Sequence, residues 1–281
     1  MKDIFYINSA GVKIDLLTPP YMLQTGELFD YSWTYRSSNT SLNGGVIEGF
    51  GKEVEQKPLT LSIINYGQES YYKAIDRFYE VTEYDVINKV PGKLCFGEYY
   101  LSCYLTASKK TGWESDSSLL DNEVTLSIEY PFWIHEKKFR FYAGNAEEYA
   151  EIPGLMYPYG YPYEYASQLN LRYLLNDHFS ECGFMMLFYG PAVNPAVRVA
   201  GHLYEVATTL YDGEYLIIDS RDLTIKKVSN IGEVSNVFSS RNTGSYIWRK
   251  IPVGRQPVTW SGSFGVDIIL FYERSEPLWS S

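Results

Sequence analysis

Apolar residues recur at every second position over much of this chain, the period of a strand with one face turned inward. Ile4 to Ile7 and Val12 to Leu16 flank Asn-Ser-Ala-Gly and read as a hairpin. Further strands are expected at Phe29 to Tyr35 and at Lys57 to Ile64, the latter with Leu59, Leu61 and Ile63 on one face. Between them the polar, Gly-rich stretch Ser37 to Lys52 predicts an exposed, mobile excursion, either an extended arm or a hairpin tip. The period then changes once. Tyr71, Ile75, Phe78, Tyr79 and Thr82 recur at helical spacing between Ser70 and Glu83, with Ser70 placed to cap free N–H groups, which predicts one amphipathic helix on a sheet. After Pro91-Gly92 the alternation returns. Tyr99, Leu101, Cys103 and Leu105, then Val124, Leu126, Ile128 and Tyr130, form the inner faces of two long strands separated by a loop from Lys109 to Asn122. Tyr130-Pro131-Phe132-Trp133-Ile134 closes this region, because proline cannot continue a central strand.

From Gly190 to Trp260, short apolar runs alternate with turn residues. Strands are expected at Val197 to Ala200, Leu203 to Leu210, Glu214 to Asp219 and Thr224 to Val228. Asp212-Gly213 signals a type I′ turn, in which both central residues need φ > 0. The order Gly-Pro, Asn-Pro, a strand, Asp-Gly-Glu-Tyr-Leu-Ile-Ile-Asp and a late Ile251-Pro252 … Gly254 … Trp260 step resembles the C-terminal domain of siphophage distal tail proteins. The opening hairpin, single helix and two long strands closing on Tyr130 to Ile134 resemble that family's N-terminal ring-forming domain. The resemblance implies a mainly β chain in two domains. Residues 1–137 would be an N-terminal β-barrel or sandwich-like ring domain with one α-helix, and 138–281 a C-terminal galectin-like antiparallel β-sandwich. It further implies a structural protein rather than an enzyme: a six-subunit ring that joins the tail tube to the tail tip or baseplate and lets DNA pass. The implied partners are further copies of itself, the tail-tube protein, the tail-tip or tail-associated lysin protein, and receptor-binding proteins at the periphery. Its place would be the phage virion, after assembly in the bacterial host cytoplasm.

Composition agrees with this picture. A chain of 281 residues suits two domains, and 27 tyrosines favour strands. The formal net charge of −10, with cations dispersed, excludes a nucleic-acid grip and suits a lumen through which DNA slides. Cys95, Cys103 and Cys182 make no disulfide framework and are expected to be reduced and buried. No stretch is apolar enough for a signal peptide or a membrane span.

Candidate chemistry is sparse. Cys182 near Asp177-His178 is the one local mixture of thiol, acid and base, with His178 expected as a polar loop residue and Cys182 as a core thiol. Glu147, Glu148 and Glu151, and Asp219 with Asp222, are expected to be solvated surface charge rather than the paired carboxylates of a glycan hydrolase. No metal-ligand spacing and no phosphate-cradling loop is present, so no cofactor is expected. Tyr159, Tyr161 and Tyr163 read either as a sugar platform, which would make the protein a monomeric lectin, or as an extended connection packed on its neighbour. Asn194-Pro195 and Arg198 do not complete a galectin sugar motif, since no histidine precedes them at the needed position. The expected assembly residues are Asn39, Asn43, Gly44 and Gly45, with Lys109, Lys110 and Trp113 in the second loop.

Overall fold

The computed structural model describes residues 3–41, 44–64, 71–111, 119–144 and 170–279. Contacts divide the chain into two units, Met1–His135 with Glu273–Ser281 and Glu136–Tyr272. The sequence reading cut at 137/138 and placed 273–281 with the second domain; the contacts instead return Glu273–Ser281 to the first unit.

In the first unit an antiparallel sheet runs in the order β2 (Lys13–Asp15), β1 (Ile4–Ile7), β7 (Gly92–Phe96), β8 (Tyr99–Thr111), β9 (Leu119–Ile128), β6 (Glu55–Ile64), β3 (Tyr21–Gly26). Strand β8 serves three partners: Tyr99 to Cys103 pair with β7, Tyr104 to Thr111 pair with β9, and Tyr99 and Tyr100 also pair with His135 and Ile134. Leu59, Leu61 and Ile63 share a buried face with Leu101, Leu126 and Ile128, as their alternation requires. Tyr130 is 41% exposed and leaves that face, because the chain bends at Pro131 and starts a new strand, β10 (Trp133–Phe141). The expected 109–122 loop is narrower than its polarity suggests. Ala107 to Thr111 continue β8 against Asp121 to Thr125, so Lys109 and Lys110 lie on a strand.

Helix α1 (Tyr71–Asn88) buries Ala74, Phe78, Val81, Thr82 and Asp85. Ser70, the expected cap, lies outside the described residues. The helix runs five residues past the expected end, to a C-terminal closure in which Lys89 N–H donates to Val86 C=O and Val90 N–H to Asp85 C=O, with Lys89 in the left-handed region at φ 56°. Asp85, fully buried, ties the helix to the opening hairpin. It accepts hydrogen bonds from the Tyr6 hydroxyl, from Ser9 N–H at 2.7 Å and from the Ser9 hydroxyl at 2.6 Å. Burial against this carboxylate raises the Tyr6 phenol well above its ordinary pKa.

The second unit is a β-sandwich. One sheet orders β19 (Val234–Asn236), β18 (Thr224–Val228), β17 (Tyr215–Asp219), β12 (Gly183–Tyr189) and β21 (Val266–Arg274). The other orders β11 (Asn170–Asn176), β20 (Gly254–Trp260), β14 (Ala196–Val199) and β15 (His202–Glu205). Their inner faces interleave Phe184, Met186, Phe188, Val197, Val258, Trp260 and Ile268, all at 2% exposure or less, and the Trp260 indole N–H donates to Phe264 C=O at 3.0 Å.

Local expectations were corrected at several points. Leu203 to Leu210 is not one strand: β15 stops at Glu205, and Thr209–Leu210 pairs separately with Ala192–Val193. Asp212-Gly213 is not a type I′ turn, since only Gly213 has positive φ; Ala200-Gly201, at 52° and 78°, makes the two-residue turn joining β14 to β15. Phe29 to Trp33 form no strand, and β4 (Thr34–Ser41) begins at Thr34.

Cys95, Cys103 and Cys182 are free and buried, as expected. Burial pushes the Cys103 thiol up to about 12 and raises that of Cys95.

Candidate functional site

The residues from Thr34 to Gly51 depart from the rest of the first unit. Among the described residues β4 and β5 (Gly44–Gly51) pair only with each other, as a two-stranded ribbon. The expected excursion is therefore a hairpin. An extra residue, Glu48, sits between the Arg36–Gly49 and Ser37–Ile47 pairs. Tyr35 lies opposite Phe50, and Ser37 opposite Ile47, so Tyr35, Phe50 and Ile47 share one face. Tyr35 is 63% exposed and Phe50 66%. Val46, on the other face, is exposed too.

The ribbon's root is firm. Lys52 donates from Nζ to Pro131 C=O at 2.9 Å, and its ammonium lies 5.0 Å from the Tyr31 ring centre, 5.4 Å from Trp33 and 4.8 Å from Phe132. Desolvation among these rings lowers its pKa. Lys57, buried, donates to Glu27 C=O at 3.2 Å and to Asp30 C=O, fixing the chain that leads into the hairpin. Sequence reasoning missed both lysines. The available signal was a lysine at each end of the Glu53-Val54-Glu55-Gln56 segment, in a region otherwise poor in cations.

The described ones among the expected assembly residues fall on the hairpin and on strand β8. Asn39, Gly44 and Gly45 lie on the hairpin, where a Cβ added at Gly45 would sit 3.0 Å from both Asn39 Oδ1 and Ser38 C=O; Gly45 therefore permits a close crossing. Lys109 pairs with Glu123 at 3.4 Å, and Lys110 lies 4.3 Å over the Tyr79 ring. Asn43, Trp113, Tyr159, Tyr161, Tyr163, Glu147, Glu148 and Glu151 lie outside the described residues. The structure brings the Asn39 region together with Tyr35, Ile47 and Phe50, which the sequence reading did not single out.

The groups considered for catalysis serve structure. His178 lies in the loop between β11 and β12, as expected, but is buried there at 3% exposure; its ring lies 5.0 Å from Tyr272 and its Nδ1 3.0 Å from Ser180 Oγ. The Cys182 thiol donates to Asn176 Oδ1 at 3.4 Å, while Asn176 Nδ2 donates to Ile251 C=O at 3.0 Å and Pro252 C=O at 3.2 Å. Asp219 is 5% exposed rather than solvated. Burial raises its pKa, and it closes the turn after β17 by accepting Arg221 N–H at 2.9 Å. Among the described residues no group of three or more His, Cys, Asp or Glu side chains is arranged to hold a metal ion, and no helix is long and apolar enough to cross a membrane.

Asp177 accepts from Lys137 Nζ at 2.7 Å and from the Tyr272 hydroxyl at 2.6 Å, which hold its carboxyl at about 2. Its native pKa is depressed, so its contribution to stability is full above the unfolded value near ~3.9 and fades as pH falls toward 2. Half exposure keeps that contribution under ~1 kcal/mol. Lys137→Met is expected to lower the urea midpoint slightly at pH 6 and to leave it equal to the unmodified protein's near pH 2. A loss that persists unchanged at pH 2 would show packing rather than charge.

No protein-family model matches the chain, and no curated protein matches it. Solved structures do. The Dit protein of phage SPP1, described as a paradigm of the hub adsorption apparatus in phages infecting Gram-positive bacteria, aligns over 98% of this chain and 99% of its own with a TM-score of 0.58 at 9% identity. The chain has the fold of a phage distal tail protein. A chain of the phage p2 baseplate in its activated conformation with calcium aligns over 98% of this chain and 99% of its own, with a TM-score of 0.63 at 15% identity. One from the same baseplate with strontium gives 99%, 100%, 0.64 and 15%. The distal tail fold accounts for both units, since each alignment spans nearly the whole chain. At these identities the likeness resides in the fold, not in shared side chains.

Proposed function

We propose that this protein is a structural hub of a phage tail, whose first units close into a six-membered ring around a channel that DNA passes. The ring would join the tail-tube protein on one side to the tail-tip or tail-associated lysin protein on the other, with receptor-binding proteins at the periphery. The observation that carries this reading is the whole-length likeness to a hub protein and to baseplate chains. The exposed hairpin supports it, because a two-stranded ribbon wet on both faces is marginal in isolation. Closed rings satisfy head-to-tail contacts without leaving a growing end.

The test is solution mass followed by negative-stain imaging. A species six times the 32.3 kDa chain, appearing as a ring, is expected. A monomer at the highest soluble concentration sinks the reading. Tyr35→Ser combined with Phe50→Ser is expected to change the stability of the folded chain by less than ~1 kcal/mol, since both rings are exposed, and to shift the ring toward monomer. Unfolding of the chain by this pair would instead assign the hairpin to the core.

A further inference from the structure

We infer that the apolar face of the β4–β5 hairpin in one copy docks onto the outer end of helix α1 in the next copy, so that the first unit carries both halves of a head-to-tail interface. This rests on the ring reading above.

The hairpin half is built for cover. Residues 31–51 contain one arginine and one glutamate, against 21% charged residues in the whole chain, and charge depletion marks the centres of protein interfaces. Tyr35 and Phe50 each leave on the order of 100–150 Å² open, and Ile47, half exposed, brings the stripe toward ~400 Å². A specific interface of ~800 Å² per partner is a little over half apolar, so it needs about that much apolar surface on each side.

The second half lies on the helix. With Ala74, Phe78, Val81 and Asp85 turned inward, the last turns of α1 present Tyr84 and Ile87 outward, three residues apart. Ile87 is 75% exposed, Tyr84 44% and Val90 48%. The helix closes at Lys89, and Val90 follows the closure as a third exposed apolar residue. Pairing hairpin with hairpin would leave the helix stripe wet, and pairing helix with helix would leave the hairpin wet. Pairing one with the other covers both at every interface, and closure of the ring leaves neither exposed. A second copy of this chain is therefore the occupant that the two patches specify.

The test places the photo-crosslinker p-benzoylphenylalanine at position 50 in the full chain, assembled from a mixture of ordinary and nitrogen-15-labelled copies. Mass spectrometry of the crosslinked peptides is expected to join residue 50 of one copy to the 80–90 segment of another. As a second arm, Phe50→Glu and Tyr84→Lys are each expected to weaken ring formation by more than roughly tenfold, and together to restore it. Rings that form with crosslinks elsewhere, or singly defective variants that the pair does not rescue, overturn the docking while leaving the ring intact. Crosslinks between two copies of residue 50 overturn it in favour of hairpin self-pairing. An unmodified protein that stays monomeric overturns both.

Discussion

Gly190→Ala is expected to unfold the second unit under conditions where the unmodified protein is stable, at a cost of at least ~3 kcal/mol. A Cβ at this position would lie 2.0 Å from the Tyr211 carbonyl oxygen and 2.9 Å from its carbonyl carbon. Both are backbone atoms in a crossing held by Gly190 N–H donating to Glu214 C=O at 2.8 Å, so no side chain is available to swing aside. Gly265→Ala is the control, because its Cβ would meet only ordinary contacts at 3.5 Å and 3.7 Å. Urea denaturation followed by hydrogen exchange locates the loss: amides of β12 and β17 should lose protection in the Gly190 variant and keep it in the Gly265 variant. Equal midpoints for the two variants would mean that the Tyr211 turn yields freely.

Asp85→Ala is expected to cost ~3–5 kcal/mol in the first unit, because it strands the buried Tyr6 hydroxyl, removes the acceptor of both Ser9 donors and opens a cavity beneath the helix. The donors are the Tyr6 hydroxyl and the N–H and hydroxyl of Ser9. Gly92 shows how tightly the site is closed, since a Cβ there would fall 2.2 Å from the Tyr6 hydroxyl and 2.5 Å from Asp85 Oδ2. Ser9→Ala removes the hydroxyl and keeps the backbone bond, and should cost only ~1 kcal/mol. Thermal unfolding of the two variants side by side checks the ratio. Similar losses in both would show that the carboxylate contributes through Ser9 alone.

Strand periodicity was legible wherever one face is buried. Leu59, Leu61 and Ile63, and Val124, Leu126 and Ile128, fall on inner faces as their spacing requires. The helix was legible in its amphipathic part and was cut short at Glu83, because its last turn carries apolar side chains on the outside, where pattern reasoning expects polar ones. The hairpin was legible as exposed. Its apolar face was not, because Tyr35, Ile47 and Phe50 come together only through the pairing register and the bulge at Glu48. Asp85 looked like one more helix-surface acid; its partners lie 76 and 79 residues away. The burial of His178 in its loop and of Asp219 was missed for the same reason, since burial of a polar residue depends on neighbours brought in by tertiary structure.

The three buried cysteines bear on how this protein would withstand oxidants. Oxidants and disulfide exchange act on the thiolate, and attack requires access. Cys103 is inaccessible and stays protonated at any ordinary pH, Cys95 is held toward the protonated form, and Cys182 is sealed in the sandwich core. The folded chain holds its three thiols free and out of reach, so thiol reagents should label them only as it unfolds.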